Sequence, residues 1–292
     1  MSSHSIRKAA FAGSWYPARA SECERQIEAF LAEDSPPTDF QIEALGGIVP
    51  HAGWYFSGTI ACRVFHAMKQ TAAADPDVFL LFGMHLHPQS PCYMMPDGAW
   101  ETPFGSIEVD RKLAAGVMEL HEFVLETPTD FTPDNTVELQ LPFLKYFFPN
   151  ARVVAMGVPP QVASLDVGRA AVDVARSLGR TAMVIGSTDL THYGANYGFT
   201  SKGAGKSAVS WVREKNDRFV IDAMLDLDPE RIVTVAQAKQ NACCAGAAAT
   251  AVAGASRLGA VKAEHVAYAT SYEKSPGDSF VGYVGVLMGR NK

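Results

Sequence analysis

Short, unbroken apolar runs alternate along this chain with longer stretches in which apolar residues recur at helical spacing. Gly46-Gly47-Ile48-Val49, Val78-Phe79-Leu80-Leu81-Phe82-Gly83 and Ala182-Met183-Val184-Ile185-Gly186 are too short and too uniformly apolar to be one face of a helix. Runs of this kind, closed by glycine or proline, predict strands buried on both faces. Arg152-Val153-Val154-Ala155-Met156-Gly157 has the same character, and residues 264–269 and 279–287 predict two more strands. Between these runs the period changes. Cys23, Ile27, Phe30 and Leu31 mark a helix over 21–33, and Ile60, Ala61, Val64, Phe65 and Met68 mark another from Phe56 onward. Asp110 precedes a helical pattern through Ala114, Val117 and Met118, a residue type that caps helix starts. Further helices are expected from 134, over 165–178, through Val209, Val212 and Met224, up to Lys239, and along the alanine- and glycine-rich stretch 242–255.

Alternating strands and helices predict an α/β fold: a mainly parallel central sheet with helices on both faces, in one domain spanning 1–292. Two stretches depart from the alternation. Residues 34–44 form a polar, proline-containing connection, and 91–109 carry turn residues between short β-prone pieces, which predicts a hairpin excursion. Trp15 and Tyr16 suit packing, with a place in a pocket wall as the other reading.

The strand exits are where chemistry concentrates. Pro50 ends the first run and is followed by His51; the second empties into Met84-His85-Leu86-His87-Pro88; the third into Ser187-Thr188-Asp189-Leu190-Thr191-His192. In a parallel sheet such exits lie along one edge, where ligands of α/β proteins collect. Convergence of these histidines is the expectation. His66, His121 and His265 fall on regular elements or helix ends and read as structural. Asn241-Ala242-Cys243-Cys244-Ala245-Gly246 stands at the start of the small-residue helix, where the helix dipole lowers thiol pKa and favours a thiolate ligand or nucleophile; an inert buried thiol is the competing reading. The polar loop 271–278 is placed to reach the same edge. Thr200-Ser-Lys-Gly-Ala-Gly205-Lys206-Ser207 resembles a phosphate loop, yet Thr200 stands where the first glycine is required and no strand precedes it, so it is read as a loop and a helix start.

Composition narrows the function classes. A net charge of −6 with a pI near 5.8 and no basic run excludes a nucleic-acid or anionic-membrane surface. The first residues lack an apolar signal core and no stretch approaches a membrane span, so a cytoplasmic location is expected. Five cysteines without framework spacing are expected to be reduced.

Phe11-Ala-Gly-Ser-Trp-Tyr-Pro17, Pro50-His-Ala-Gly-Trp-Tyr-Phe-Ser-Gly58, Glu101-Thr-Pro-Phe-Gly105, Glu138-Leu-Gln-Leu-Pro142, Ser187-Thr-Asp-Leu-Thr-His192 and Val281-Gly-Tyr283 follow one another across nearly the whole chain and together resemble the Memo family. That resemblance implies a fold similar to the class III, LigB-type extradiol dioxygenases. It matches His51 to the first site histidine, Cys243 to the site cysteine, and Asp189 and His192 to the Ser-x-Asp-x-x-His pair, which orients ligands or moves protons. The chain departs from the pattern in three places. Leu86 stands where the second site histidine is expected, which leaves His85 first and His87 second for that role; Asn135 replaces a further histidine; and Ala247 replaces a proline. Two imidazoles and a thiolate suit a mononuclear divalent metal with open positions, iron(II) first, with copper or zinc brought in by the softer sulfur. The expected function is a metal-dependent oxidoreductase or dioxygenase-like enzyme. Its alternatives are a non-catalytic protein binding metal, a small molecule or a peptide in the same cleft, and a zinc hydrolase. The resemblance also implies a pathway shared with a radical-SAM protein and an AMME-type protein.

Overall fold

The structure is a computed structural model and describes residues 5–33 and 39–292. Of the polar connection expected over 34–44, residues 34–38 lie outside the described residues. After β1 (Ile6–Arg7), helix α1 (Ala20–Ala32) buries Cys23, Ile27 and Phe30, the positions that its periodicity marks. β2 (Ile42–Val49) ends at Pro50, and a π turn, Trp54–Gly58, leads into α2 (Thr59–Thr71). β3 (Val78–Gly83) is buried along its whole length.

The expected excursion follows as β4 (Tyr93–Met94), β5 (Ala99–Trp100) and β6 (Ile107–Glu108); β5 and β6 pair antiparallel, with Ala99 opposite Glu108. Asp110 caps α3 (Arg111–Met118) by accepting from Leu113 N at 3.2 Å. Next come β7 (Val124–Leu125), α4 (Asn135–Glu138), α5 (Leu141–Phe147), β8 (Arg152–Gly157), α6 (Leu165–Ser177), β9 (Ala182–Ser187) and β10 (His192–Tyr193). The last part holds α7 (Gly205–Trp211), a π turn Val212–Asn216, α8 (Asp217–Leu225), α9 (Pro229–Lys239), α10 (Ala245–Leu258), β11 (Lys262–Thr270) and β12 (Phe280–Asn291).

The main sheet runs in the order β10-β12-β2-β9-β3-β8-β4-β7, with β11 also on β12, and β1-β5-β6 form a small separate sheet. The expectation of a mainly parallel sheet is corrected here: the sheet is mixed. Its centre, β2-β9-β3-β8, is parallel, whereas β12 runs antiparallel to β2, β10 and β11, and β4 antiparallel to β8. The reason is connection length. Residues 271–279 between β11 and β12 are fewer than the dozen or so that a parallel crossover needs, so the two strands close as a hairpin.

Helices cover both faces, as expected. On β2, a methyl group at Gly47 would strike Val64 of α2, while Ile48 lies on the opposite face beside Gly186, where a methyl group would strike Ala251 of α10. Small residues on α10 therefore let the helix approach the strands closely, and Gly168 of α6 meets Thr250 in the same manner. Val78, Phe79, Leu80, Leu81 and Phe82 of β3 are fully buried, so truncating one of the leucines to alanine costs about 2–5 kcal/mol. The parallel centre thus forms a stiff platform whose carboxyl ends carry residues 50–51, 84–87 and 188–192.

A His-His-Cys cluster at the strand ends

His51 follows β2 and is almost fully buried. Its backbone is fixed from three sides: its N–H donates to Asp189 Oδ1 at 2.7 Å, its carbonyl accepts from Asn135 Nδ2 at 2.8 Å, and the preceding Pro50 carbonyl accepts from Gln140 Nε2 at 2.9 Å. Asn135, which stands where the resemblance places a histidine, therefore holds backbone instead of moving protons. The ring is oriented just as tightly. Ser187 Oγ donates its only proton to Thr136 O at 2.7 Å, so toward His51 Nδ1, 3.0 Å away, it acts as acceptor. Nδ1 must carry a proton, and Nε2 is the atom turned toward the cleft.

His85 reaches the same place by a different route. Met84 adopts a left-handed backbone with φ 71°, uncommon for a non-glycine residue, and its N–H donates to Thr136 Oγ1 at 2.7 Å. This turn sets His85 edge-on to His51, with ring centroids 4.9 Å apart. His85 Nδ1 lies 3.2 Å from Asp134 Oδ2, again leaving Nε2 for the cleft. His87 lines the neighbouring cavity, its Nδ1 accepting from Gln89 N at 3.3 Å, and is not among the clustered donors.

Cys243 completes the group from the loop before α10. Its Sγ is 3.2 Å from His51 Nε2 and 3.8 Å from Cys244 Sγ, and its N–H donates to Asp189 O at 3.2 Å. Donor atoms of His51, His85, Cys243 and Cys244 all lie within 4.8 Å of one another. The residues present fit a divalent metal: two anchored imidazoles offer unprotonated Nε2 once the metal displaces their protons, beside a sulfur donor.

The electrostatics favour the anionic form at one sulfur. Burial pushes the Cys243 thiol up, but the hydrogen bond from Cys244 and the two imidazoles outweigh it, and the pKa falls well below the ordinary thiol value. Burial and the neighbouring Cys243 push Cys244 well above that value, so it stays a thiol. Burial lowers the pKa of His85, yet its bond to Asp134 and its nearness to Cys243 carry it up to about 10. For His51, Asp189 and Cys243 overcome the burial penalty and raise the pKa. Asp189 is itself raised, by burial first, with His51 opposing.

Asp189 Oδ2 lies 4.0 Å from His51 Nε2 behind the cluster, and His192 Nδ1 donates to Leu190 O at 3.1 Å, which leaves its Nε2 free. Two cavities meet at this point. One of about 900 Å³ is lined by His87, Leu190, Tyr197, Phe199, Ala242 and Cys243; the other, about 550 Å³, by Trp15, His51, Tyr55, Asp189, Ser271 and Tyr283. His85, His192 and Tyr197 border both. The loop 271–279 reaches the site through Ser271, Ser275 and Ser279, as its polarity suggested. Tyr16 is buried while Trp15 stands in the pocket wall.

Sequence reasoning missed Cys244 as a fourth donor and Asp134 as the partner of His85. Adjacency to Cys243 signalled the first. Nothing in spacing signalled the second, since 49 residues separate it from His85. Lys206 and Ser207 open α7 as expected of a helix start.

A family model described as Memo-like protein matches residues 7–287. A MEMO1 family protein of Pyrococcus furiosus is 32% identical, covering 97% of this chain and 99% of its own length. One from Pyrobaculum aerophilum is also 32% identical, with 98% and 99% covered, and one from Methanopyrus kandleri 31%, with 97% and 99%. The motifs that line this cluster lie within the matched span, and the chain belongs to the Memo-like family.

Proposed function

We propose that this protein is a metal-dependent oxidoreductase of the extradiol-dioxygenase type, in which His51 Nε2, His85 Nε2 and Cys243 Sγ hold one divalent metal. The observation that carries the proposal is the donor geometry: two imidazoles with their outer nitrogens pinned, by Ser187 and Asp134, flank one half-buried sulfur. Iron(II) comes first for this set, with copper or zinc as alternatives that the softer thiolate admits. Bound there, the metal would supply a site where an organic ligand and oxygen are activated together. The chain's own part is positioning and proton handling. Asp189 orients His51 through its backbone, and His192 lines both cavities with Nδ1 held by Leu190 O, where its Nε2 can take a proton from a ligand hydroxyl. The cavities take a small-molecule or peptide ligand, and the dioxygenase-like architecture and the link to radical-SAM and AMME-type proteins are part of the same proposal.

A second reading has its own observation. Cys244 Sγ lies in the cluster, and four protein donors close a tetrahedral site, as in non-catalytic metal binding. Elemental analysis of protein reconstituted without oxygen separates the two. Near-stoichiometric metal is expected in the wild type and in Cys244→Ala, with loss in His51→Ala and Cys243→Ala. Equal retention in all three variants would falsify the site. Loss in Cys244→Ala as well, with no oxygen uptake on catechol-type compounds, would support the closed, non-catalytic centre.

A further inference from the structure

The two cysteines differ in access. Cys243 lines the larger cavity, while Cys244 is 3% exposed and sits behind it, its Sγ 3.8 Å from Cys243 Sγ. The three remaining cysteines are not in this cluster. Cys23 donates to Pro17 O, Cys62 lies 4.0 Å from Ile27 O, and Cys92 is half-buried on the excursion. A reagent entering the cavity thus meets one sulfur first, with a second sulfur in position behind it and an imidazole nitrogen at 3.2 Å.

We propose that Cys243 and Cys244 form a peroxide-oxidisable dithiol, with Cys243 the sulfur attacked and Cys244 the sulfur that resolves it. In the metal-free protein His51 Nε2, 3.2 Å from Cys243 Sγ, is placed to take the thiol proton as that sulfur reacts. The sulfur then attacks the terminal oxygen of a hydroperoxide, ROOH: the S–O bond forms, the O–O bond breaks, and the departing oxygen takes the proton from His51 and leaves as ROH. Cys243 is oxidised by two electrons to a sulfenic acid and the peroxide is reduced. The Cys244 sulfur next attacks Cys243 Sγ: the S–S bond forms, the S–O bond breaks, and water leaves with the Cys244 proton. Adjacent residues hold their Cα atoms about 3.8 Å apart, below the usual disulfide span of about 4.4–6.8 Å, so the bridge is strained and readily reopened by thiols.

The functional consequence rests on the metal reading above: bridging removes the sulfur donor, so oxidation releases the metal and reduction restores it. The test begins with metal-free protein and one equivalent of hydrogen peroxide, read by mass spectrometry of the peptide holding residues 243 and 244. The expected product has lost two hydrogens and recovers them with a thiol reductant. Cys244→Ser should instead carry one oxygen on Cys243, trapped by a sulfenic-acid reagent, and should advance to the sulfinic acid with excess peroxide. Cys243→Ser should leave Cys244 unmodified. Wild-type protein that gains oxygen at Cys243 while Cys244 stays free, or that bridges between two molecules, would overturn the proposal. Metal release, followed with a chromogenic chelator, is read separately. A protein that binds no metal yet forms the internal bridge would sink the metal reading and leave the dithiol standing.

Discussion

Ser187 decides which nitrogen of His51 faces the cleft. Its hydroxyl proton is committed to Thr136 O, and Gln140 Nε2 lies 3.4 Å from Ser187 Oγ itself, so Ser187 has only acceptor capacity left for Nδ1. Removing the hydroxyl frees the ring to rotate or to protonate the wrong nitrogen. Ser187→Ala should weaken metal binding by about 10–100-fold with the fold intact, measured by competition titration against a chelator of known affinity. Unchanged affinity would mean that packing alone fixes the ring. At this scale the sequence was only partly legible. His51, Asp189 and His192 were visible because motif and strand exit coincide on them, and Cys243 because its motif stands at the start of the small-residue helix. The choice between His85 and His87 was not, because it turns on the left-handed backbone at Met84, which no apolar pattern records.

The second π turn, Val212–Asn216, shows how an element can position a site without touching it. The pattern through Val209, Val212 and Met224 reads as one amphipathic helix, but the π turn divides it into α7 and α8 and buries Asn216 and Asp217 in succession. An extra residue per turn shifts the helical face, which a fixed 3.6-residue period misses. Asn216 Nδ2 donates to Thr191 Oγ1 at 2.9 Å and its carbonyl accepts from Asn241 Nδ2 at 2.6 Å, which ties the loop of Asp189 and His192 to the loop of Cys243. Asp217 accepts from Thr191 N at 3.1 Å, from the Thr191 hydroxyl, and from Tyr268 O–H at 2.7 Å. Despite these donors, burial raises its pKa to about 7. The sign follows from the raised value: the folded state binds the proton more tightly, so this group favours folding at low pH and that contribution is lost as pH rises from about 4 to about 7. Asp217→Asn should flatten that slope in chemical denaturation series. Asp217→Ala, which leaves buried donors unpaired, should cost about 3 kcal/mol. Strand identity was legible in the same way as helix identity, from buried apolar runs, but strand direction was not. An apolar run reports burial and says nothing of polarity, and so the antiparallel β12 escaped the pattern.

Across the whole molecule, the parallel centre of the sheet brings together side chains as far apart in sequence as His51 and Cys243, and metal binding should therefore report on global stability. In the metal-free protein the raised His85 pKa stabilises the fold below the ordinary histidine value, and this contribution fades as pH climbs through about 10. A metal must displace that proton, and the one raised on His51, before either Nε2 can bind. Binding thus releases protons, and affinity should grow with pH across the range in which the metal-free imidazoles are still charged. At a metal concentration about 100 times Kd the stabilisation is about 2.7 kcal/mol, a shift in Tm of several degrees for a chain of this size. At fixed metal concentration the Tm difference between loaded and metal-free protein should therefore widen from pH 6 toward pH 9, and Asp134→Asn, which removes the carboxylate that holds the His85 proton, should make it less steep. A difference independent of pH would mean that the metal binds without displacing the imidazole protons, and that the donors are not the two Nε2 atoms.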